Sequence, residues 1–267
     1  MRLPAQVYRQ FDADPAREVP GEAYGGWNTI DVDLAPAHTA LVVMHAWDCG
    51  APHEFPGWRR AVEYYPRASR ILADVFPPLL AAVRASPLPV FHVVGGGKDY
   101  YTHLPGYKRA VQLAGVSTPP VQLATDPAYD RLKQLRSEHV FPGAHNAADI
   151  AAGFERLDFA PEARPVGDEV IAENGDQLAA LCRADGINHL IYAGFAINWC
   201  LLMSPGGMIE MSRHGCLCST IVEAVTAVEN RETARDEREK QQALWRVSLE
   251  FGFVFHLRDF LAALPKT

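Results

Sequence analysis

The sequence lacks the features that mark several large classes of protein. None of its apolar runs approaches the roughly 20 residues that span a bilayer, and its N-terminus has no apolar signal core. Lysine and arginine form no cluster and the net charge is −7, so a nucleic acid or an anionic lipid would meet no basic face. We therefore expect a cytoplasmic protein with no membrane and no nucleic acid as its partner.

Cysteine is scarce, and its spacing follows no framework. The five cysteines are Cys49, Cys182, Cys200, Cys216 and Cys218. Five is an odd number, and the spacings fit neither a disulfide framework nor a zinc ribbon. The default interpretation of each is therefore a buried thiol that packs as a small apolar side chain.

Motifs for cofactors are also absent. The glycines at 95–97 carry neither the dinucleotide fingerprint nor the Walker lysine, so they predict a tight turn. Asp99 and His103 are spaced to share one helix face as metal ligands, but no clear third ligand accompanies them. We expect no cofactor and no metal.

What the chain does contain is an alternation of strand-like and helix-like segments. Apolar residues make up 48% of its 267 residues, enough for a substantial core. The strand-like runs are 39–44, 89–94, 168–172, 188–194, 216–222 and 251–255, and the helix-like runs are 68–83, 177–184 and 233–250. This order predicts an α/β fold: a three-layer, doubly wound sheet of about six mostly parallel strands, with 39–44 and 188–194 at its centre.

Two regions do not follow the alternation. Residues 1–38 are rich in proline, glycine and alanine and predict an N-terminal extended arm before a single domain at 39–267. Residues 98–166 have little periodicity and predict an irregular insertion, of the kind that carries a lid, a substrate wall or a subunit contact.

Ligands of open parallel sheets bind beyond the carboxyl ends of the strands, so the residues that follow each strand are the candidates for a site. Eight of them carry useful chemistry, and we select His45, Cys200, Glu173 and Asp48 as catalytic candidates and Trp47, Asn174, Ile197 and Trp199 as substrate-binding candidates. The partner that this predicts is a small-molecule substrate.

Cys200 is the most informative of these residues. It follows the strand at 188–194 at a predicted strand-to-helix turn, where a helix dipole and free N–H groups stabilise a thiolate. The same N–H groups can hold an oxyanion. The competing interpretation is that Cys200 is a packing thiol like the other cysteines.

The motif around Cys200 resembles that of the isochorismatase-like cysteine hydrolases. The segments GINHLIYAGFAINWCLL (186–202) and MIEMSRHGCLCSTIVEAVTAVEN (208–230) carry the resemblance, together with TALVVMHAWD (39–48). It covers about residues 39–95 and 168–260. It implies a Rossmann-like fold, Cys200 as the nucleophile, a cis peptide bond at Ala196-Ile197 and a homo-oligomer with contacts through 1–38 and 98–166.

The rest of the family's triad is altered in this chain. The family has an aspartate as general base where His45 stands, and a lysine after the third strand, where Glu173 stands. Pro205-Gly206-Gly207 also interrupts the helix that follows Cys200. A neutral imidazole at His45 can still deprotonate the thiol, with Glu173 or Asp48 orienting it.

Three functions remain open at this point. The first is a cysteine-dependent hydrolase of a small-molecule amide or related C–N bond. The second is a catalytically inactive scaffold that binds a small molecule or acts as an assembly subunit. The third is a hydrolase or lyase of vinyl-ether or imine substrates that uses acid–base residues without a covalent step. The substrate is not named by the sequence, because specificity would lie in 98–166.

Overall fold

The computed structural model describes residues 1–51, 53–95, 101–115 and 121–265. Its strands are β1 (Arg2–Arg9), β2 (Gly26–Asp33), β3 (Thr39–Met44), β4 (Trp47–Asp48), β5 (Val90–Val93), β6 (Asp158–Phe159), β7 (Val170–Ala172), β8 (His189–Phe195), β9 (Leu217–Thr226) and β10 (Val254–Phe255). Its helices are α1 (Pro56–Ala61), α2 (Tyr65–Asp74), α3 (Phe76–Arg84), α4 (Pro105–Ala114), α5 (Pro127–His139), α6 (Ala147–Phe154), α7 (Gly175–Asp185), α8 (Cys200–Met203), α9 (Met208–Arg213), α10 (Arg238–Glu250) and α11 (Leu257–Ala263).

Eight of the strands form one sheet, in the order β2-β1-β10-β9-β8-β3-β5-β7. The six from β10 to β7 are parallel throughout, which confirms the predicted parallel sheet with β3 and β8 at its centre. β1 and β2 add an antiparallel hairpin beside β10. Within residues 1–38, these two strands therefore extend the sheet on one side.

Helices cover both faces of the sheet, as predicted. β3 is buried along its whole length, and its side chains alternate between two cores. Val42 and Met44 face the core that holds Leu178 of α7, whereas Leu41 and Val43 face the core that holds Phe76 of α3. Burying each such large side chain stabilises the fold by roughly 1.5–3 kcal/mol, so the continuous apolar run is explained by burial on two sides.

The segment predicted as an irregular insertion is more regular than expected. Within 98–166 the described residues include α4, α5, α6 and the short strand β6, which pairs with β4. α4 approaches the sheet so closely that a Cβ on Gly106 would lie 1.9 Å from the Glu169 carbonyl oxygen. α5 buries none of its residues. Over the described residues, we find no helix with the length and apolar character that crossing a membrane requires.

One glycine sets the distance between the two central strands. Gly194 in β8 pairs with Met44 at the end of β3, and a Cβ at position 194 would lie 1.9 Å from the Met44 carbonyl oxygen. Its φ of +131° is also a conformation that side chains with a Cβ rarely adopt. A glycine at this position is therefore required for the two strands to end side by side.

We expect Gly194→Ala to lower the free energy of unfolding by about 3 kcal/mol or more, because it adds a clash with backbone to an unfavourable φ. Gly215→Ala is the matched control: Gly215 also has a positive φ, +87°, but no atom lies within 4 Å of a Cβ placed there. The control should cost about 1 kcal/mol. Urea unfolding of the two variants measures the difference, and equal losses would contradict the close approach.

Candidate active site

A cavity of about 470 Å³ opens beyond the carboxyl ends of β3 and β8. Of the eight residues selected from the sequence, it brings five together, and these are His45, Trp47, Asp48, Trp199 and Cys200. They come from two chain segments more than 150 residues apart. The strand pairing joins them, because the residue after each strand emerges at the same edge of the sheet.

His45 is the first residue after β3, and its backbone is left-handed with φ of 52°. Histidine tolerates this region better than most residues. Its N–H donates to the Val93 carbonyl at 3.0 Å, which fixes the start of the turn. The turn directs the imidazole into the cavity wall, where it stacks on Trp47 with ring centroids 4.4 Å apart.

Burial determines the charge of His45. The side chain is only 8% exposed, and loss of solvent lowers the pKa of its imidazole to about 4. The ring is therefore neutral at pH 7. Its Nδ1 is buried and has no hydrogen-bond partner in the described part of the chain, so the predicted contact between a carboxylate and this nitrogen is not formed there.

Cys200 is the first residue of α8, and its side chain is partly buried. Asn198 fixes the turn before it: its amide donates to the Val228 carbonyl at 2.8 Å and accepts from the Val228 N–H at 2.8 Å. The Ile197 N–H donates to the Thr226 carbonyl at 2.9 Å. The turn before the thiol is thus anchored near the end of β9 by the Asn198 amide and by one backbone hydrogen bond.

The turn differs from the prediction in the position of its cis peptide bond, and the helix that follows it is short. The cis peptide bond is Phe195-Ala196, one bond earlier than the predicted Ala196-Ile197. α8 has only four residues and ends before 205–207, as the Pro-Gly-Gly sequence indicated. A single helical turn has a smaller dipole than a full helix, so the helix contributes less to thiolate stability than the sequence suggested.

Trp47, Asp48 and Trp199 line the cavity with His45 and Cys200. Trp47 belongs to β4, whose pairing with β6 holds the indole against the imidazole. Asp48 is exposed at the cavity, and its Oδ1 accepts from the Gly50 N–H at 2.9 Å. Trp199 is 37% exposed and contacts Phe141 edge to face, at 5.3 Å between ring centroids.

The other three selected residues do not line this cavity. Glu173 follows β7, and its carboxylate accepts a hydrogen bond from the Tyr107 hydroxyl at 2.7 Å. Asn174 caps the N-terminus of α7 by accepting from the Gln177 N–H. Ile197 is fully buried in the core. Their proposed roles in catalysis or substrate binding therefore find no direct support in the cavity.

Several polar cavity residues were not found from the sequence, and four of them come from one part of the chain. They are Cys49, Arg59, Tyr64 and Tyr65, and all come from the turn after β4 or from the region of α1 and α2. Burial raises the pKa of the Cys49 thiol to about 11. Burial also raises the pKa of Tyr64, and the nearby Cys200 thiolate would raise it further. No motif marks these residues, since only the folding of α1 and α2 over the sheet edge brings them to the site.

The described residues contain no group of three or more His, Cys, Asp and Glu side chains arranged to hold a metal ion. The aspartate of the Asp99–His103 pair lies outside those residues, as do the second and third glycines of 95–97.

Comparison with known proteins finds similarity among solved structures only. No family model matches the chain, and no curated protein matches it. It is similar to an isochorismatase-like hydrolase from Alkaliphilus metalliredigens, at 14% identity over 86% of this chain and 99% of that chain, with a TM-score of 0.49. It is also similar to a cysteine hydrolase from Pseudomonas syringae pv. phaseolicola, at 14% identity over 86% of this chain and 93% of that one, with a TM-score of 0.47.

A third similar structure is the pyrazinamidase of Pyrococcus horikoshii in complex with zinc. The identity is 14%, over 82% of this chain and 98% of that chain, and the TM-score is 0.45. Isochorismatase-family and cysteine hydrolase structures are thus among those to which this chain is similar, at low identity.

Proposed function

We propose that this protein is a cysteine-dependent hydrolase of a small-molecule amide or related C–N bond, with Cys200 as nucleophile and His45 as base. One observation carries the proposal. The thiol and a neutral imidazole line the same cavity, at the ends of two adjacent parallel strands. A nucleophile and a base that converge on one cavity are the arrangement that covalent catalysis needs.

The reaction follows from the two groups. His45 takes the proton from the Cys200 thiol as the sulfur attacks the amide carbonyl carbon, and the C–N bond breaks as the imidazolium returns that proton to the leaving nitrogen. The product of this step is a thioester. Water, deprotonated by His45, then attacks the thioester carbonyl, and the thiol leaves with the proton restored.

The charge of His45 suits this role. A neutral imidazole accepts a proton, and its low pKa of about 4 means that the charged form is short-lived unless something stabilises it. We assign that role to Asp48, which lines the cavity, in preference to Glu173, whose carboxylate is bound by Tyr107. Trp47 and Trp199 would bind the substrate through their ring faces.

A second function is favoured by one observation of its own. The Nδ1 of His45 has no partner within the described residues, whereas a working base is usually oriented by a third group. This is what an inactive scaffold that binds a small molecule would show. Thiol reactivity separates the two proposals, because only an activated thiolate reacts quickly at neutral pH.

The two cysteines of the cavity should differ in their reactivity. At pH 7 iodoacetamide should modify Cys200 at least about tenfold faster than Cys49, because burial raises the pKa of Cys49 to about 11. Intact-mass spectrometry of the parent, Cys200→Ala and Cys49→Ala proteins measures both rates in the same cavity. Cys200→Ala should also abolish ammonia release from a panel of primary amides. Equal rates at the two thiols would favour the inactive scaffold.

The free energy of unfolding should depend on pH through His45. The pKa of His45 falls from 6.5 to about 4 on folding, so the unfolded chain binds the proton more readily. Its contribution is fully present above pH 6.5 and is lost as the pH falls towards 4, at up to about 1.4 kcal/mol per pH unit. His45→Asn, which also tolerates a positive φ, should make the pH dependence in urea unfolding shallower by that amount between about pH 7 and 4.5, while the share of His189, whose pKa burial also lowers to about 4, remains. An unchanged slope would contradict a buried neutral imidazole.

Substitutions at position 45 test whether the imidazole itself is the base. His45→Asp restores the residue that the resembled family has at this position, but not the family's lysine. If imidazole is the base, the variant should lose about 100-fold or more in kcat/KM. His45→Asn is the matched control without a titrating group, and it should lose as much. Activity of His45→Asp near the parent level would show that a carboxylate serves there and that the imidazole is not needed.

Assembly as a homo-oligomer stays a prediction. α5 buries none of its residues, and its Leu132 is 65% exposed, which supports a contact outside the single chain. Sedimentation at micromolar concentration should show a dimer or a larger species, and a monomer alone would count against this expectation.

A further inference from the structure

The cavity contains one cation that has no carboxylate partner. Arg59 lies in α1, and its Nη2 donates to the carbonyl oxygens of Gly50 and Cys49, at 2.5 and 3.4 Å. Its Nε is buried without a hydrogen-bond partner in the described chain, and no ion pair involves it there. The described chain thus satisfies only part of the donor capacity of the guanidinium and offers it no ion pair.

Nine of the other arginines differ from Arg59 in this respect. Arg2, Arg17, Arg67, Arg84, Arg109, Arg156, Arg164, Arg246 and Arg258 each form an ion pair with a carboxylate. Several of these side chains are more exposed than half, where an ion pair contributes little. Arg59, by contrast, is partly buried at a cavity wall and forms no ion pair with any residue that the structure describes. A charged side chain that is partly removed from solvent and lacks an ion pair is unfavourable. The cavity wall at Arg59 should therefore favour an anionic ligand.

The protein holds this guanidinium in place. The two backbone carbonyls fix one edge of the group, and its central carbon lies 5.4 Å from the centroid of the Tyr65 ring. A guanidinium makes charge-assisted hydrogen bonds to a carboxylate through donors that the protein does not use. Two carboxylates also border the cavity, Asp48 and Glu162, but both are exposed to solvent and therefore have a weaker need for a partner.

The walls of the cavity indicate the rest of the ligand. Trp47, Tyr64, Phe141, Phe154 and Trp199 line it. Ring faces of this kind favour a flat, apolar ligand body. A volume of about 470 Å³ is enough for one aromatic ring with two small substituents.

We propose that Arg59 binds a carboxylate of the substrate, so that the enzyme acts on an aromatic amide that also carries an acidic group. The aromatic walls hold the ring, Arg59 takes the carboxylate, and the amide faces Cys200. This inference rests on the proposed function, since it assigns the substrate class of the same site.

Binding and turnover are measured separately, so that the two proposals can fail independently. Four probes share one ring: 4-carbamoylbenzoate and 3-carbamoylbenzoate are anionic, benzamide is neutral and 4-(aminomethyl)benzamide is cationic. Their Kd values are measured by calorimetry on Cys200→Ala, which cannot turn them over. At least one anionic amide should bind about tenfold or more tightly than benzamide, as expected of a charge-assisted pair.

Variants of the cation test its role. Arg59→Gln should remove the preference for the anion while it changes the Kd of benzamide less than about twofold, and Arg59→Lys should keep part of the preference as a point charge. Arg60→Gln is the matched control, because Arg60 is the exposed neighbour whose Nε donates to Asn146 outside the cavity. Thermal unfolding of each variant confirms that the α1 region still folds.

Each result decides one of the two proposals. An anion preference that persists in Arg59→Gln, tighter binding of the cationic amide, or no binding of any probe would overturn the role of Arg59. If the anionic amides bind through Arg59 but the parent protein releases no ammonia from them, the hydrolase proposal fails and the anion site stands. If the parent protein hydrolyses benzamide and shows no preference for the anionic amides, the role of Arg59 fails and the hydrolase proposal stands.

Discussion

β3 and β8 lie side by side at the centre of the sheet, and Met44 pairs with Gly194 where β3 ends. The Met44 carbonyl leaves no room for a Cβ at position 194, so the two strands are in close contact at the edge where the cavity begins. His45 and Cys200 follow these strands, and both line that cavity. Their convergence is thus a consequence of backbone pairing, which a substitution at either side chain would leave intact.

The same packing that builds the cavity also sets its chemistry. Stacking on Trp47 excludes water from His45, and this desolvation keeps the imidazole neutral at pH 7. It also leaves Nδ1 without a partner among the described residues, at a cost of about 1–3 kcal/mol for a buried polar atom. The left-handed backbone at His45 adds a further cost. A functional site can tolerate such costs because packing elsewhere in the fold offsets them.

Much of the fold follows from local sequence, and part of the site does not. The apolar run at 39–44 predicted β3 at its observed bounds, and the strand-end rule selected His45 and Cys200. The hairpin of β1 and β2 was missed because its pattern is interrupted by proline and glycine and has no buried face along β2. Glu173 was misplaced for another reason: the rule gives the edge of the sheet but not the distance along it, and β5 separates β7 from β3. Arg59 has no motif at all, since only tertiary packing brings α1 to the cavity.

The charged and neutral groups at His45, Glu173 and Arg59 are related to one another. In the family that the chain resembles, an aspartate and a lysine occupy the two positions held here by His45 and Glu173. A buried aspartate without its lysine, or the lysine without its aspartate, would be an uncompensated charge. In this chain the neutral imidazole of His45 adds no charge at its position, and Glu173 accepts a hydrogen bond from the Tyr107 hydroxyl. Arg59 lines the same cavity without an ion pair in the described chain, and Asp48 and Glu162 border it as exposed carboxylates, so the proposed anionic substrate would pair with Arg59 locally rather than neutralise the cavity as a whole.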